Sequence, residues 1–397
     1  GQNGIICTDG GAFRLLVDAH HYYEDYEQAA AGCINAGINM FLDRYKEALR
    51  GALEKGLVTE SGIDGVLRGT LRVMLKIGLL DNNPENPYTS IGISDTTRTW
   101  LKDEAKALAR KSTVKSIVLL KNENNLLPLK KEKLKSIAVI GPSADLVVSD
   151  WYSGTPPYRV SALDGIRNAV GDGVEIKYTK SNKADSAVIA AQQSDVAIVC
   201  IGNHPLSYGL EWGENHVYSD GREAIDRQAI SLEQEDLVKL VKAANPKTVL
   251  VLVSSFPYSI NWSKENVPAI LHITQSSQEL GTGLADIIFG KESPAGRLVQ
   301  TWTKSIDELL PILEYDIRKG RTYMYDKHEP LFAFGFGLTY TTFEYRKIEV
   351  QKKSIKEGDS VELKIQVQNT GDFDSDEVVQ LYVSFPDSKV ERPKIEL

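Results

Sequence analysis

The chain has 397 residues, 42% hydrophobic and 25% charged, enough apolar material for a sizeable core and the length of roughly two or three domains. Its net charge is −8 and it has no Lys/Arg-rich block, which removes the electrostatic reason for binding DNA or RNA. No stretch approaches the roughly 18 consecutive apolar residues of a membrane-spanning helix.

The first region, residues 1–80, alternates short strands with helices. "GIICT" and "GINMFL" are apolar runs of the kind buried in a parallel sheet. Asp43 is expected to cap a helix carrying Leu49 and Leu53 and ending at Gly56. A second helix is expected to place Ile63, Val66, Leu67, Leu71, Met74 and Leu75 on one packed face. Two strand–helix units cannot close a sheet, so this region reads either as a small α/β subdomain or as the end of a larger barrel. Residues 81–95, rich in Asn, Pro and Ser, read as a linker.

Residues 96–335 repeat strand, turn and helix. "SIAVIG", "VAIVCIG", "TVLVLVSS" and "AILHITQ" are Val- and Ile-rich strands, with helices between them such as the one following Ser231, on which Leu237, Leu240 and Val241 face one way. Uniformly apolar strands alternating with helices predict a parallel or mostly parallel sheet covered on both faces. In such sheets the loops at strand C-termini carry chemistry. "GPSADLVVSDWYSGTPPY" and "GNHPLSYGLEWGENHVYSDGREAIDR" are long polar loops in that position. From Thr341 onward the period changes to two: "SVELKIQVQNTG" and "VVQLYVSF" predict antiparallel strands of a β-sandwich. Too few strands follow to close it, so the chain is expected to be a piece cut at both ends. It opens "GQNGII" rather than with Met, so any export signal is expected upstream.

Carboxylates are the chemical candidates. Asp9 follows an apolar strand and precedes Gly10 and Gly11, which let backbone and ligand approach closely; by itself an acid before two glycines reads first as a turn. Glu223, Asp226 and Arg227 close a loop that also holds Trp212, His216 and Tyr218, and by themselves read as a helix N-terminus. Cys7, Cys33 and Cys200 sit in apolar contexts without zinc or disulfide spacing and are expected to be buried thiols. His20, His21 and Glu24 offer a weak metal-ligand spacing without HExxH, and no metal is expected. Neither a GxSxG elbow nor a phosphate-cradling glycine motif is present.

These motifs, in order, resemble glycoside hydrolase family 3. "GIICTDGGA" is similar to the family's strand ending in Ser/Thr-Asp, and "KGLVTESGIDGVLRGTLRVMLKIGLLD" to the helical end of its (β/α)8 barrel. "SIVLLKNENNLLPL" resembles the opening of its α/β sandwich domain and "GREAIDR" its Glu-x-x-Asp-Arg signature. "SPAGRLVQTW" and "EPLFAFGFGLTYTTFEY" resemble the passage into its fibronectin-III-like domain. The resemblance implies the C-terminal part of a barrel at 1–80, a linker at 81–95, an α/β sandwich domain at 96–335 and a partial fibronectin-III-like domain at 336–397. It implies a retaining β-glycosidase acting on oligosaccharides or aryl and alkyl β-glycosides without a cofactor. Asp9 is then the nucleophile and Glu223 the acid/base, with Glu211 and Glu214 as the fallback choices in the same loop.

Trp151, Tyr152 and Trp212 are expected to line the site, because aromatic faces suit the C–H faces of sugars. Asn39 stands where many relatives carry Asp, which leaves open the substrate edge at that position. "GTPPY" after "DWYS" favours a β-xylosidase-like member over a β-glucosidase; a non-catalytic carbohydrate-binding or scaffold fragment is the rival of another class. The resemblance also implies a periplasmic or secreted protein.

Overall fold

The computed structural model describes residues 3–80, 85–86, 88–148, 155–180, 184–203, 227, 229–274, 277–352, 354–356 and 358–397. The chain divides into two compact units, Gly1–Arg98 and Thr99–Leu397.

In the first unit the two apolar runs lie side by side in parallel, paired through an isolated bridge between Cys7 and Met40. Four helices follow the runs: α1 (Ala12–Asp18), α2 (Tyr26–Asn35), α3 (Lys46–Glu54) and α4 (Glu60–Lys76). Alanines on α2 permit close packing, and Ala29, Ala30 and Cys33 meet Phe13 from α1 and the Phe41 ring. On the other side, Ala31 and Ile34 pack with Ala52, Val58, Ile63 and Val66. Asp25 caps α2 by accepting from the Gln28 N–H at 2.7 Å, and Thr59 caps α4 by accepting from the Gly62 N–H at 3.1 Å.

Three expectations for this unit are corrected. Asp43 does not cap α3, whose N-cap is Tyr45; its carboxylate instead accepts from the Phe13 N–H, as its strand partner brings that group nearer. The apolar face of α4 is only partly packed: Ile63 and Val66 join the core, whereas Leu67, Leu71 and Leu75 are exposed within the unit. Cys7 is exposed while Cys33 and Cys200 are buried, because Cys7 sits on a bridged pair of segments and not in a sheet covered on both faces.

The second unit is a three-layer α/β sandwich. After α5 (Asp103–Ser116), its strands and helices are β1 (Val118–Asn122), β2 (Ser136–Ile140), α6 (Ala162–Val170), β3 (Glu175–Thr179), α7 (Ala184–Gln192) and β4 (Val196–Gly202). They continue with α8 (Glu235–Ala244), β5 (Thr248–Val253), α9 (Asn261–Asn266), β6 (Ala269–Ile273), α10 (Leu280–Ile288) and α11 (Thr322–Tyr325). The six strands run in the order β1-β6-β5-β4-β2-β3, all parallel except β1, which pairs antiparallel with β6. Alternate strand residues separate two cores. Ile137, Val139, Ile198, Cys200 and Val251 face α5, α6 and α10, and Ala138, Ile140, Val199, Ile201 and Leu250 face α7 and α8. This is the covered, mostly parallel sheet that the Val/Ile runs predict.

On α8 the inward stripe is Leu237, Val238 and Val241; Leu240 is exposed, one helical step outside the stripe. Helices α6 and α10 touch backbone to backbone at Gly165 and Gly281. Behind the sheet, Asp286 on α10 accepts a bidentate pair of bonds from Arg110 on α5. Beyond α11, β7 (Phe343–Val350) and β8 (Leu363–Asn369) form a two-stranded antiparallel sheet. "VVQLYVSF" does not form a third strand: it makes an isolated bridge between Val383 and Glu396, too little pairing to sustain a ladder. This C-terminal part is tied to the sandwich by the Arg297–Glu377 ion pair at 2.9 Å and by Tyr340, which donates to the Ile287 carbonyl at 2.9 Å.

Candidate active site

Asp9 ends the first of the two parallel segments. Its neighbours fix that end: the Thr8 N–H donates to the Met40 carbonyl at 3.0 Å, and the Thr8 hydroxyl accepts from the Leu42 N–H at 3.0 Å. Asp9 itself is exposed, and one carboxylate oxygen accepts from the Gly10 N–H at 2.9 Å. Gly11 follows at φ +82°, a conformation that suits glycine, and serves as N-cap of α1. Beside this turn lies an open cleft of about 830 Å³, bordered by Gly11, Phe13, Arg14, Tyr26, Phe41 and Asp43. The opposite end of the paired segments is held by Asn39. Its amide oxygen accepts from the Ile6 N–H at 2.9 Å, and its amide nitrogen donates to the Gly4 and Val66 carbonyls, both at 3.0 Å. Asn39 is therefore a backbone clamp, and a carboxylate there would have no N–H to offer the two carbonyls.

His20 and Glu24 are both exposed in the connection between α1 and α2, so their four-residue spacing does not place them on one helix face. Among the described residues no three His, Cys, Asp or Glu side chains are grouped to hold a metal ion.

In the second unit, chain order makes β2 a switch point: β3 lies on one side of it and β4 on the other. Loops leaving neighbouring strands at such a point diverge and leave a crevice between their roots. Both long polar loops start there, one after β2 and the other after β4. The roots are tightly built. Gly141 at φ +114° and Gly202 at φ +148° each leave their strand where a side chain would strike backbone, Cys200 in the first case and Val253 in the second.

The first loop returns at Ser161, which caps α6 by accepting from the Asp164 N–H at 3.1 Å and also donates to the Asp145 carboxylate at 3.2 Å. The second is pinned by Gln234, whose amide both accepts from the Gly202 N–H at 3.1 Å and donates to the Gly202 carbonyl at 2.8 Å. Arg227, the last residue of "GREAIDR", lies over the Phe256 ring at 4.9 Å and the Tyr258 ring at 5.2 Å, and donates to the Pro257 carbonyl at 3.1 Å. Burial holds its pKa below the ordinary guanidinium value. Trp151, Tyr152, Glu211, Trp212, Glu214 and Glu223 lie outside the described residues.

Sequence reasoning missed Asp43 and Asn39 as holders of the Asp9 segment. The signal was faint: Asn39 lies inside the second apolar run and Asp43 directly follows it, and the backbone group each one holds lies some thirty residues away.

The Glycosyl hydrolase family 3 C-terminal domain matches residues 117–340, which span the sheet and its two polar loops. A Beta-xylosidase of Formosa agariphila is 32% identical over 96% of this chain and 55% of its own length. A Periplasmic beta-glucosidase of Salmonella typhimurium is 29% identical over 99% of this chain and again 55% of its own length. Among solved structures, a b-glucosidase from Erythrobacter marinus superposes with a TM-score of 0.77 at 29% identity, covering 99% of this chain and 55% of that one. The chain thus spans about half the length of the relatives it matches. With the family's domain laid over the whole doubly covered sheet, and relatives aligned through both units, the chain belongs to glycosyl hydrolase family 3.

Proposed function

We propose that these residues are part of an exo-acting retaining β-glycosidase that removes terminal, non-reducing β-linked sugars, with β-xylosides favoured. The observation that carries the reading is Asp9: an exposed carboxylate at the C-terminal end of a parallel segment, on a glycine turn beside an open cleft. Acids at that end of parallel strands are where barrel enzymes keep their catalytic groups. Asp9 is assigned as the nucleophile and Glu223 as the acid/base. In a retaining enzyme the two carboxyl groups stand about 5–5.5 Å apart, one ionised to attack the anomeric carbon and one protonated to assist the leaving group. Carboxylates in different environments take up those opposite protonation states. Trp151, Tyr152 and Trp212 are assigned to the sugar's apolar faces.

The same reading gives residues 1–80 as the C-terminal part of a (β/α)8 barrel, 81–95 as a linker, 96–335 as the α/β sandwich domain and 336–397 as the beginning of a fibronectin-III-like domain. What supports the first is the parallel pairing of Cys7 with Met40, and what supports the last is the antiparallel β7–β8 pair.

A β-glucosidase of the same family is the second reading, favoured by the name of the Salmonella relative. Release of nitrophenol from aryl β-xyloside, glucoside, arabinoside and N-acetylglucosaminide separates the two. The assay is run on the 397-residue chain and on the full gene product that carries it. Asp9→Ala should abolish release. Glu223→Ala should affect poor leaving groups most, with partial rescue by azide. Full activity in Asp9→Ala would overturn the assignment.

A further inference from the structure

The turn that presents Asp9 has little stiffness of its own. Gly10 and Gly11 follow it directly, and neither has a neighbour within 4 Å of where a side chain would begin. Glycine samples more backbone conformations than any other residue, so such a turn keeps its shape only if both ends are held. Helix α1 does not hold its end by itself: its N-cap is Gly11, which supplies no side-chain acceptor. The N–H of Phe13, in the first turn, therefore lacks an intrahelical partner. Phe13 is also buried, 3% exposed, so water is a poor substitute.

Asp43 supplies the missing acceptor from the other segment: its Oδ2 lies 3.0 Å from the Phe13 nitrogen. A carboxylate accepting from a backbone N–H at a helix start is a charge-assisted bond and is favoured by the helix dipole. The opposite end of the turn is held in the reverse sense. There the Thr8 hydroxyl accepts from the Leu42 N–H at 3.0 Å. Two side-chain bonds, one sent from each segment to the other's backbone, thus bracket Asp9, Gly10 and Gly11. Within the bracket the turn closes through the Ala12 N–H and the Asp9 carbonyl at 3.3 Å.

We infer that Asp43 is a positioning residue for the Asp9 carboxylate, acting through the Phe13 N–H, with Thr8 as its counterpart. The inference rests on the reading of Asp9 as nucleophile. Misplacing a reacting group by about 1 Å can cost on the order of a hundredfold in rate, so losing one end of the bracket should reach the chemistry through the turn.

The test measures how fast a 2-deoxy-2-fluoro-β-xylosyl fluoride labels the full gene product, followed by intact mass with the labelled peptide identified. It is run beside kcat, KM and thermal melting on aryl β-xyloside. Asp43→Ala should slow labelling and lower kcat by roughly ten- to a hundredfold, with KM moving less than about threefold. Asp43→Asn keeps an oxygen that can accept the same N–H and should stay within about threefold of wild type. Thr8→Val, which removes the counterpart bond, provides a second measurement if Asp43→Ala does not fold, and should slow labelling while leaving KM in place.

Wild-type labelling in Asp43→Ala, or in Thr8→Val where that variant stands in, overturns the inference while leaving Asp9 as nucleophile. An Asp43→Asn loss as large as that of Asp43→Ala also overturns it, since the bond would then not be the cause. Labelling that persists in Asp9→Ala overturns both.

Discussion

Replacing Gly165 by Ala tests the tightest joint in the sandwich. Alanine is ordinarily the better residue inside a helix, by about 0.5–1 kcal/mol over glycine. Gly165 is well inside α6 and its backbone does not require glycine's conformational freedom. On local grounds alone the substitution should stabilise. The packing argues the opposite. A methyl group at Gly165 would lie 2.7 Å from the Gly281 Cα and closer still to the Gly281 carbonyl, against ordinary contacts of 3.4 Å or more. Those atoms are helix backbone and cannot swing aside, so α10 must move away by an ångström or more.

That movement loosens Leu163 and Ile166 against Leu280 and Leu284, each at most 1% exposed. Overpacking of this kind costs about 1–3 kcal/mol, and more where backbone must shift. Net of the helix preference, the expected loss is about 2 kcal/mol, or a melting temperature lower by roughly 3–5 °C for a unit of this size. Thermal melting followed by circular dichroism measures it. Gly65→Ala in α4 is the matched control: no atom lies within 4 Å of the new methyl, so its own transition should rise by about 0.5–1 kcal/mol. If Gly165→Ala melts at or above the wild-type temperature, the two helices do not meet backbone to backbone.

The other two predictions concern charge behind and within the sheet. Arg110→Ala should destabilise by about 3 kcal/mol in urea titrations, because it strips the bidentate partner from Asp286, a carboxylate only 7% exposed, and leaves Lys291 at 4.0 Å as the remaining cation. The double variant Arg110→Met with Asp286→Leu should recover most of that loss; a double variant as unstable as the single would show that the pair is not what holds α5 to α10. His272 on β6 is packed edge-on to Trp302, and burial pushes its pKa down to about 4. Its neutral form is therefore the folded form. The stability it contributes is complete above the unfolded value near 6.5 and is lost as pH falls from there toward 4, by on the order of 2–3 kcal/mol. Urea midpoints at pH 7 and pH 4.5 should show that decline, and His272→Phe should flatten it; equal slopes in the two proteins would refute the assignment.

How far the molecule could be read from its residues depended on where each element finds its partner. Strands β2, β4, β5 and β6 announce themselves, since strands buried on both faces read as nearly continuous apolar runs rich in Val and Ile. The edge strand β3, "EIKYT", carries a Glu, a Lys and a Thr because only one side of it is paired, and so went unremarked. The period-two run at "VVQLYVSF" looks like a strand by pattern, yet pattern cannot supply the neighbouring ladder that makes one.

The site divided in the same way. Asp9 was visible because an acid ending an apolar run before two glycines is a local signal, given weight by the ordered series of motifs behind it. Asp43 was visible too, but helix-start reasoning gave it to α3, the helix next to it in sequence. Its actual partner, the Phe13 N–H, is thirty residues away and is chosen by the parallel pairing of two segments. Residues that hold a turn from a neighbouring segment leave no spacing rule in the chain.

The antiparallel strand β1 has a consequence for how this protein is made. β1 is the first strand of the sheet to leave the ribosome, yet among the described residues its strand partner in the sheet is β6, completed roughly 150 residues later. At about 5–20 residues per second, "SIVLLKN" waits on the order of ten seconds or more with its apolar side chains and its backbone edge uncovered. Its far edge is met later still, when the Leu338 N–H reaches the Leu119 carbonyl at 2.9 Å. The sheet therefore closes like a clasp whose first half is formed early and whose second half arrives last, and the nascent chain should depend on chaperones over that interval more than its finished stability would suggest.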